Sequence, residues 1–258
     1  MKPYLQDADL TLYCGDALEV LRELPDESVD CCVTDPPYGD TSLGWDRRVD
    51  GWPELVARVL KPGGSVWCFG SFRFFMEHGA AAFAAAGFTY AQEIVWEKQN
   101  GSSFHADRFR RVHEFAVQWY RGAWENVWTS PVTTPDAVAR SVVRRNKRRP
   151  PHMGDIGPST YQSEDGGPRL ERSVIRVRNC HGYAEHETQK PEGILRPLIA
   201  YSCPPGGVVL DPFAGSGSTG IAARQVGRSA LLVELSPDYC AKAAKRLAQL
   251  SLLAEETA

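Results

Sequence analysis

Val208-Val209-Leu210-Asp211-Pro212-Phe213-Ala214-Gly215-Ser216-Gly217-Ser218-Thr219 reads as a buried strand, a glycine turn and the start of a helix. A short apolar run of this kind suits a strand covered on both faces, and Gly215 and Gly217 let the backbone approach a ligand closely. The helix runs on to Val226, and a second strand–helix unit spans Ala230 to Leu247. Glu234 ends that second strand, roughly 20 residues after the turn, where an acidic side chain can accept hydrogen bonds from a ribose. Repeated strand–helix units predict a parallel sheet with helices on both faces.

The same alternation opens the chain. Leu10–Cys14 reads as a strand, and Ala17–Leu24 carries Leu18, Leu21 and Leu24 at helical spacing before Pro25. Asp16 between them suits a helix N-cap. Val29–Thr34 is the next strand, and it stops at Asp35-Pro36-Pro37-Tyr38. Open α/β sheets bind ligands at the carboxyl ends of their strands, which is where Asp35 falls. Proline fixes its own φ and biases the preceding residue toward extended backbone, so Asp35 and Pro36 are expected to be stiff. The Asp35 carboxylate and Pro36 carbonyl are then two acceptors beside the flat ring of Tyr38, a set suited to a planar group bearing an NH2. The rival reading is a loop in which the prolines only end the strand.

Further along, Trp52–Leu60 reads as a helix ended by Lys61-Pro62-Gly63-Gly64, and Ser65–Phe69 as a strand. Phe72–Ala86 reads as a helix with Gly87 as its C-cap. Glu93–Trp96 and Glu114–Tyr120 read as strands with no clear helix between them, so one of them is expected to run antiparallel. From Gly122 to Glu185 periodicity is weak and prolines, glycines and charges dominate. Regular structure resumes at Lys190-Pro191, which opens a helix through Ile199. The expected architecture is α/β: a doubly wound, mostly parallel sheet with one antiparallel strand and a small irregular insert. Residues 1–121 and 186–258 form the main domain and 122–185 the insert.

With both motifs in view, the chain resembles the S-adenosylmethionine-dependent DNA amino-methyltransferases. Asp35-Pro36-Pro37-Tyr38 is similar to their catalytic motif and Phe213-Ala214-Gly215-Ser216-Gly217 to their cofactor motif. The catalytic motif comes first, the order of the beta group of that family. The resemblance implies a Rossmann-like methyltransferase fold, with Asp35, Pro36, Pro37 and Tyr38 at the target base. It implies a cofactor site of Asp16, Ala17, Asp35, Asp211, Phe213, Ala214, Gly215, Ser216, Gly217, Ser218, Thr219 and Glu234. His186-Glu187-Thr188-Gln189-Lys190-Pro191 is similar to a family segment beside the cofactor, which adds Thr188 and Lys190; Glu187 stands where the family has proline. Lys98-Gln99-Asn100 and His113-Glu114 resemble positions lining the target pocket, and Trp45-Asp46 resembles a pair in relatives. The loop from Gly39 to Arg48 could close over a substrate or be an ordinary surface loop.

Gly215, Gly217 and Gly220 also satisfy the Gly-x-Gly-x-x-Gly spacing of dinucleotide sites. Asp211 before the turn would repel a pyrophosphate but suits the positively charged methionine end of S-adenosylmethionine. The implied reaction is methylation of adenine N6 in a flipped base, with S-adenosylhomocysteine as product. Cytosine N4 presents the same edge and is the alternative; Asp rather than Ser at position 35 resembles the adenine enzymes. Methylation of a protein glutamine, for which relatives use a motif beginning with Asn, and a DNA-binding module without catalysis are the more distant rivals.

Charge is distributed unevenly. The net charge is −3, yet Arg121 to Glu185 holds 11 Lys/Arg against 7 Asp/Glu. Arg140, Arg144, Arg145, Lys147, Arg148 and Arg149 cluster there and are the candidate contacts to duplex DNA; the alternative is a solvated loop. The family likeness also implies a homodimer. The seven cysteines are scattered, with no pair at zinc-ligand spacing, so free thiols and no metal are expected. No apolar run is long enough for a bilayer, and Met1–Asp7 lacks the apolar core of a signal peptide, which predicts a cytoplasmic protein; the family likeness implies one that is bacterial or phage-type.

Overall fold

The computed structural model describes residues 1–39, 43–44, 46–102, 106–144, 159–180, 182, 184 and 189–255. They divide into two compact units, one of residues 1–130 and 173–258, the other of 131–172.

The first unit is built on nine strands: β1 (Leu5–Gln6), β2 (Leu10–Cys14), β3 (Val29–Thr34), β4 (Leu60–Gly70), β5 (Thr89–Ser102), β6 (Arg111–Tyr120), β11 (Val174–Arg176), β12 (Val208–Asp211) and β13 (Ser229–Glu234). Their order across the sheet is β1-β2-β13-β12-β3-β4-β6-β5-β11. The pairs β2–β13, β13–β12, β12–β3, β3–β4 and β5–β11 are parallel. β6 runs antiparallel between β4 and β5, as expected for one strand of that pair, and the two-residue β1 adds an antiparallel edge.

Helices cover both faces because the central strands are apolar on both. Cys31, Val33, Trp67 and Phe69 point into one core with α5 (Glu192–Ser202), α6 (Ser218–Gln225) and α7 (Pro237–Glu255). Cys32, Val66 and Cys68 alternate into the other, against α1 (Ala17–Glu23), α2 (Trp52–Val59), α3 (Phe72–Phe74) and α4 (Ala80–Ala85). A π turn at Phe75–Gly79 joins α3 to α4, so the expected single helix is a composite. Gly220 sits inside α6, where a Cβ would come within 2.8 Å of Leu232 Cδ1 and 3.0 Å of Leu10 Cδ1, so this helix packs tightly on the sheet.

Three strands run longer than expected. β4 begins at Leu60 and carries Pro62-Gly63-Gly64 within it; the β3–β4 register shifts between Val29 and Cys31 and absorbs them. β5 and β6 extend well beyond Glu93–Trp96 and Glu114–Tyr120, because their distal halves are polar and give no apolar signal. β11 lies inside the segment 122–185 by sequence, yet it pairs with β5 and belongs to the first unit, and residues 122–130 belong there too.

The second unit holds two short antiparallel ladders. β7 (Thr133–Thr134) pairs with β10 (Arg169–Leu170), and β8 (Arg140–Arg144) with β9 (Ser159–Ser163). An Arg169–Asp136 ion pair and a bond from Ala139 N to Asp165 Oδ1, 2.6 Å, tie it internally. All seven cysteines are free, and no helix among the described residues is long and apolar enough to cross a membrane.

Candidate active site

Four adjacent parallel strands end with acidic residues. Asp16 follows β2, Glu234 ends β13, Asp211 ends β12 and Asp35 follows β3. Sheet order therefore gathers residues far apart in the chain, Asp16 and Glu234 among them, into one row at the carboxyl edge where α/β sheets bind ligands.

Asp16 is exposed and caps α1, its Oδ1 accepting from Leu18 N at 2.8 Å and Glu19 N at 3.1 Å. Ala17 is buried behind it. Glu234 accepts from Gly215 N through Oε2 at 2.9 Å and from Ser236 N through Oε1 at 2.8 Å. Burial raises the pKa of Glu234 against these bonds. Asp211 is only 4% exposed. Its Oδ1 accepts from Thr34 Oγ1 at 2.8 Å and Phe213 N at 3.1 Å, and its Oδ2 from Thr219 Oγ1 at 2.6 Å. Burial pushes this carboxyl up to about 6 in spite of the three donors. Asp211 thus fastens the ends of β12 and β3 to the first turn of α6.

The glycine turn is held from several sides. Gly217 has φ +79° and caps α6; Ala214 N donates to Val233 O at 2.8 Å. Phe213 packs edge-on against Trp52, with ring centroids 5.7 Å apart. Ser216 and Ser218 are buried, and Ser216 Oγ donates to Gln189 Oε1 at 3.1 Å. Arg246 of α7 donates to Ser216 O at 2.7 Å, Ser216 Oγ at 2.9 Å and Ser218 Oγ at 3.2 Å, while its other nitrogen binds Glu192 Oε1 at 2.9 Å. Sequence reasoning missed Arg246, Thr34 and Glu192; nothing local marks them. Gln189 could have been found, since it lies in the quoted segment beside Lys190.

At Asp35 both carboxylate oxygens are engaged. Tyr38 donates its hydroxyl to Oδ1 and Lys190 its ammonium to Oδ2. Burial, with Asp35 beside it, pushes the Tyr38 hydroxyl well up, so it remains a protonated donor. The Tyr38 ring lies 5.2 Å from that of Phe74, inclined by 39°. Pro36 is buried and Pro37 half-buried. Gly39 N donates to Asp46 Oδ1 at 2.8 Å, so buried Asp46 anchors the start of the following loop. Trp45 and residues 40–42 lie outside the described residues. So do Thr188 with His186 and Glu187, and Arg145, Lys147, Arg148 and Arg149. Arg140 is exposed on β8, which Arg144 ends.

Around Lys190 the structure brings together two of the pocket positions. Glu114 of β6 places Oε2 3.3 Å from Lys190 Nζ, and Lys98 of β5 is ion-paired to Glu114 Oε1. Burial works to raise Glu114, but Lys190 and Lys98 outweigh it and hold the carboxyl down at about 2. Gln99 is bonded to Asn179, which donates its N–H to Gln99 Oε1 at 2.7 Å. The tetrapeptide and the glycine turn, far apart in sequence, are bridged by consecutive residues: Lys190 reaches Asp35 and Gln189 reaches Ser216.

A doubly wound sheet, an aspartate-proline strand end and a glycine turn at the neighbouring strand define a class I methyltransferase fold. The chain belongs to the N6/N4 DNA methylase family, whose model, described as DNA methylase, matches residues 29–245. It is 29% identical over 276 residues to the type II methyltransferase M.HinfI of Haemophilus influenzae, covering 97% of this chain and 71% of that one. Among solved structures, the M1.HpyAVI–SAM complex superposes with a TM-score of 0.63 at 24% identity, over 92% of this chain and 100% of that one. The cytosine-N4-specific PvuII DNA methyltransferase gives 0.68 at 17% identity, over 95% and 88%. These two likenesses are of fold.

Proposed function

We propose that this DNA methyltransferase transfers a methyl group from S-adenosylmethionine to the exocyclic N6 of an adenine flipped out of duplex DNA. The observation that carries the reading is Asp35, held at the end of β3 with one oxygen on Tyr38 and the other on Lys190. Each carboxylate oxygen has a second lone pair, so Asp35 can still accept from an amine.

The residues fit the methyl donor. The row Asp16, Glu234, Asp211 and Asp35 suits a ligand bearing ribose hydroxyls and a cationic end, and is ill suited to a pyrophosphate. Glu234, next to the Gly215 turn, would accept from the ribose; Asp16 and Ala17 border the same edge, as do Phe213 to Thr219. S-adenosylmethionine supplies a methyl carbon made electrophilic by a positively charged sulfur.

The chain's own task is to position the amine and stabilise charge on it. The adenine N6 lone pair is delocalised into the ring. Hydrogen bonds from its NH2 to Asp35 and the Pro36 carbonyl localise that pair and favour positive charge on nitrogen. Tyr38 and neighbouring Phe74 offer the aromatic face on which an extruded base stacks. Nucleoside analysis of DNA treated with the protein tests the base: N6-methyladenine is expected. N4-methylcytosine would overturn the assignment to adenine, and absence of any methylated base would overturn the whole reading.

On this reading the insert of residues 122–185 carries target recognition, with Arg140, Arg144, Arg145, Lys147, Arg148 and Arg149 as phosphate or base contacts. The support is their clustering on an otherwise acidic chain. Neutralising Arg144, Arg145, Arg148 and Arg149 together is expected to weaken duplex binding while leaving cofactor affinity intact. The slope of log affinity against log salt should become shallower by about 0.9 for each phosphate that the variant no longer neutralises. Unchanged binding of duplex across a salt titration would make the cluster a solvated loop.

A further inference from the structure

Four charges alternate through the half-buried interior beside the tetrapeptide: Asp35, Lys190, Glu114 and Lys98. Their signs sum to zero. Lys190 is the most deeply placed, its side chain 8% exposed against 20% for Asp35. Aromatic rings wall it in, with Nζ 5.3 Å from the Phe69 ring centre and 6.0 Å from that of Trp96. Lys98 Nζ stands 4.6 Å from the centre of the same Trp96 ring, whose Nε1 is fixed on Val177 O at 2.8 Å. The register explains the grouping. Trp96 pairs directly with Glu114 across β5 and β6, and Lys98, two residues on, shares that face diagonally.

An ammonium in such a place cannot serve as a loose surface charge. It is desolvated, and its stability there depends on its two carboxylates. Glu114 Oε2 is buried and lies 3.3 Å from Lys190 Nζ, and the hydrogen bond of Lys190 runs to Asp35 Oδ2.

We infer that Lys190 is a positioning residue that acts through Asp35, holding its carboxylate aimed at the target amine, with Glu114, itself paired to Lys98, as the second counter-charge that keeps Lys190 there. This rests on the reading of Asp35 as the group that meets the amine. The influences on Asp35 oppose one another, and their net direction is upward. Burial raises the Asp35 pKa, Lys190 lowers it, and Glu114 raises it again. The other titratable groups facing Asp35 are Tyr38, Cys68 on β4 and Asp211 at the end of β12. Without Lys190, Asp35 and Glu114 become two neighbouring half-buried carboxylates, and one is driven to hold a proton. A protonated Asp35 has less to offer an amine donor.

The test uses Lys190→Met and the double variant Lys190→Met/Glu114→Gln. In the protein without cofactor or DNA, carboxyl 13C NMR follows the titration of Asp35. Its midpoint is expected to move to higher pH in Lys190→Met and to return part of the way in the double variant, where the second carboxylate is gone. In turnover, Lys190→Met is expected to lose about 10²-fold in kcat, with its acid limb displaced to higher pH. S-adenosylmethionine affinity by calorimetry should stay within a factor of about two. The double variant should be faster than the single one, a recovery that simple loss of packing does not produce.

An Asp35 midpoint unmoved or lowered in Lys190→Met overturns the inference, as does a double variant slower than the single. Loss of cofactor affinity in proportion to kcat would make Lys190 a cofactor ligand and overturn it as well. If Lys190→Met fails to fold, the double variant, which carries one unpaired charge fewer, is read alone against the parent by the same titration. The Asp35 midpoint is then expected above the parent's, and one at or below it overturns the inference. The parent separates this from the wider reading: a parent that makes no N6-methyladenine refutes the base assignment, whereas the NMR titration needs no substrate.

Discussion

Asp35→Ala is expected to lower kcat for methyl transfer by at least about 10³-fold, while S-adenosylmethionine still binds. The size follows from the role proposed for the carboxylate, which accepts from the amine as positive charge grows on its nitrogen. The fold should tolerate the change. Lys190 keeps Glu114 3.3 Å away as a counter-ion, and Tyr38 is only half-buried. Asp35→Asn separates charge from hydrogen bonding, since its Oδ1 can still accept from the amine while the negative charge is gone. Single-turnover kinetics with calorimetry of cofactor binding measure both quantities. Near-normal turnover in Asp35→Ala would remove Asp35 from the chemistry.

Gly217→Val should weaken S-adenosylmethionine binding by about 10²-fold or more and also lower Tm. Two causes act together. The residue has φ +79°, a conformation that costs an ordinary L-residue about 1–2 kcal/mol and a β-branched one more. A Cβ there would stand 3.2 Å from Ala243 Cβ and 3.3 Å from Leu247 Cδ1 of α7, so the turn and α7 must part. Arg246, on the same helix, would then lose its hold on Ser216 and Ser218. Gly217→Ala, without the branch, is the graded control and should lie between parent and Gly217→Val. A folded Gly217→Val with parental affinity in calorimetry would show that the turn does not approach the cofactor.

The elements nearest the site were legible in the sequence because their signals are local. An apolar run buried on both faces identifies β3 and β12, as residues such as Val33 and Leu210 show by their complete burial. Proline after Asp35 marks where β3 stops, and Gly217 marks where the chain must turn with positive φ before α6. Asp16 was read correctly as an N-cap from its place before an apolar period. Where the pattern is polar, the reading fell short. Lys98–Ser102 and Arg111–His113 gave no alternation that would extend β5 and β6, and β11 offered three residues inside a stretch without periodicity.

The sequence by itself therefore determined the fold class, the two motifs and their order, since each element and each motif is set by neighbouring residues and their order is read directly along the chain. Only the tertiary structure decided who meets whom at the strand ends. Thr34 bonds Asp211 across 177 positions, Lys190 bonds Asp35 across 155, and Lys98 reaches Glu114 through the register of a hairpin. The physical reason is that such pairs are set by strand order and register, which arise from packing the whole sheet, whereas a turn or a cap is set by the few residues that make it.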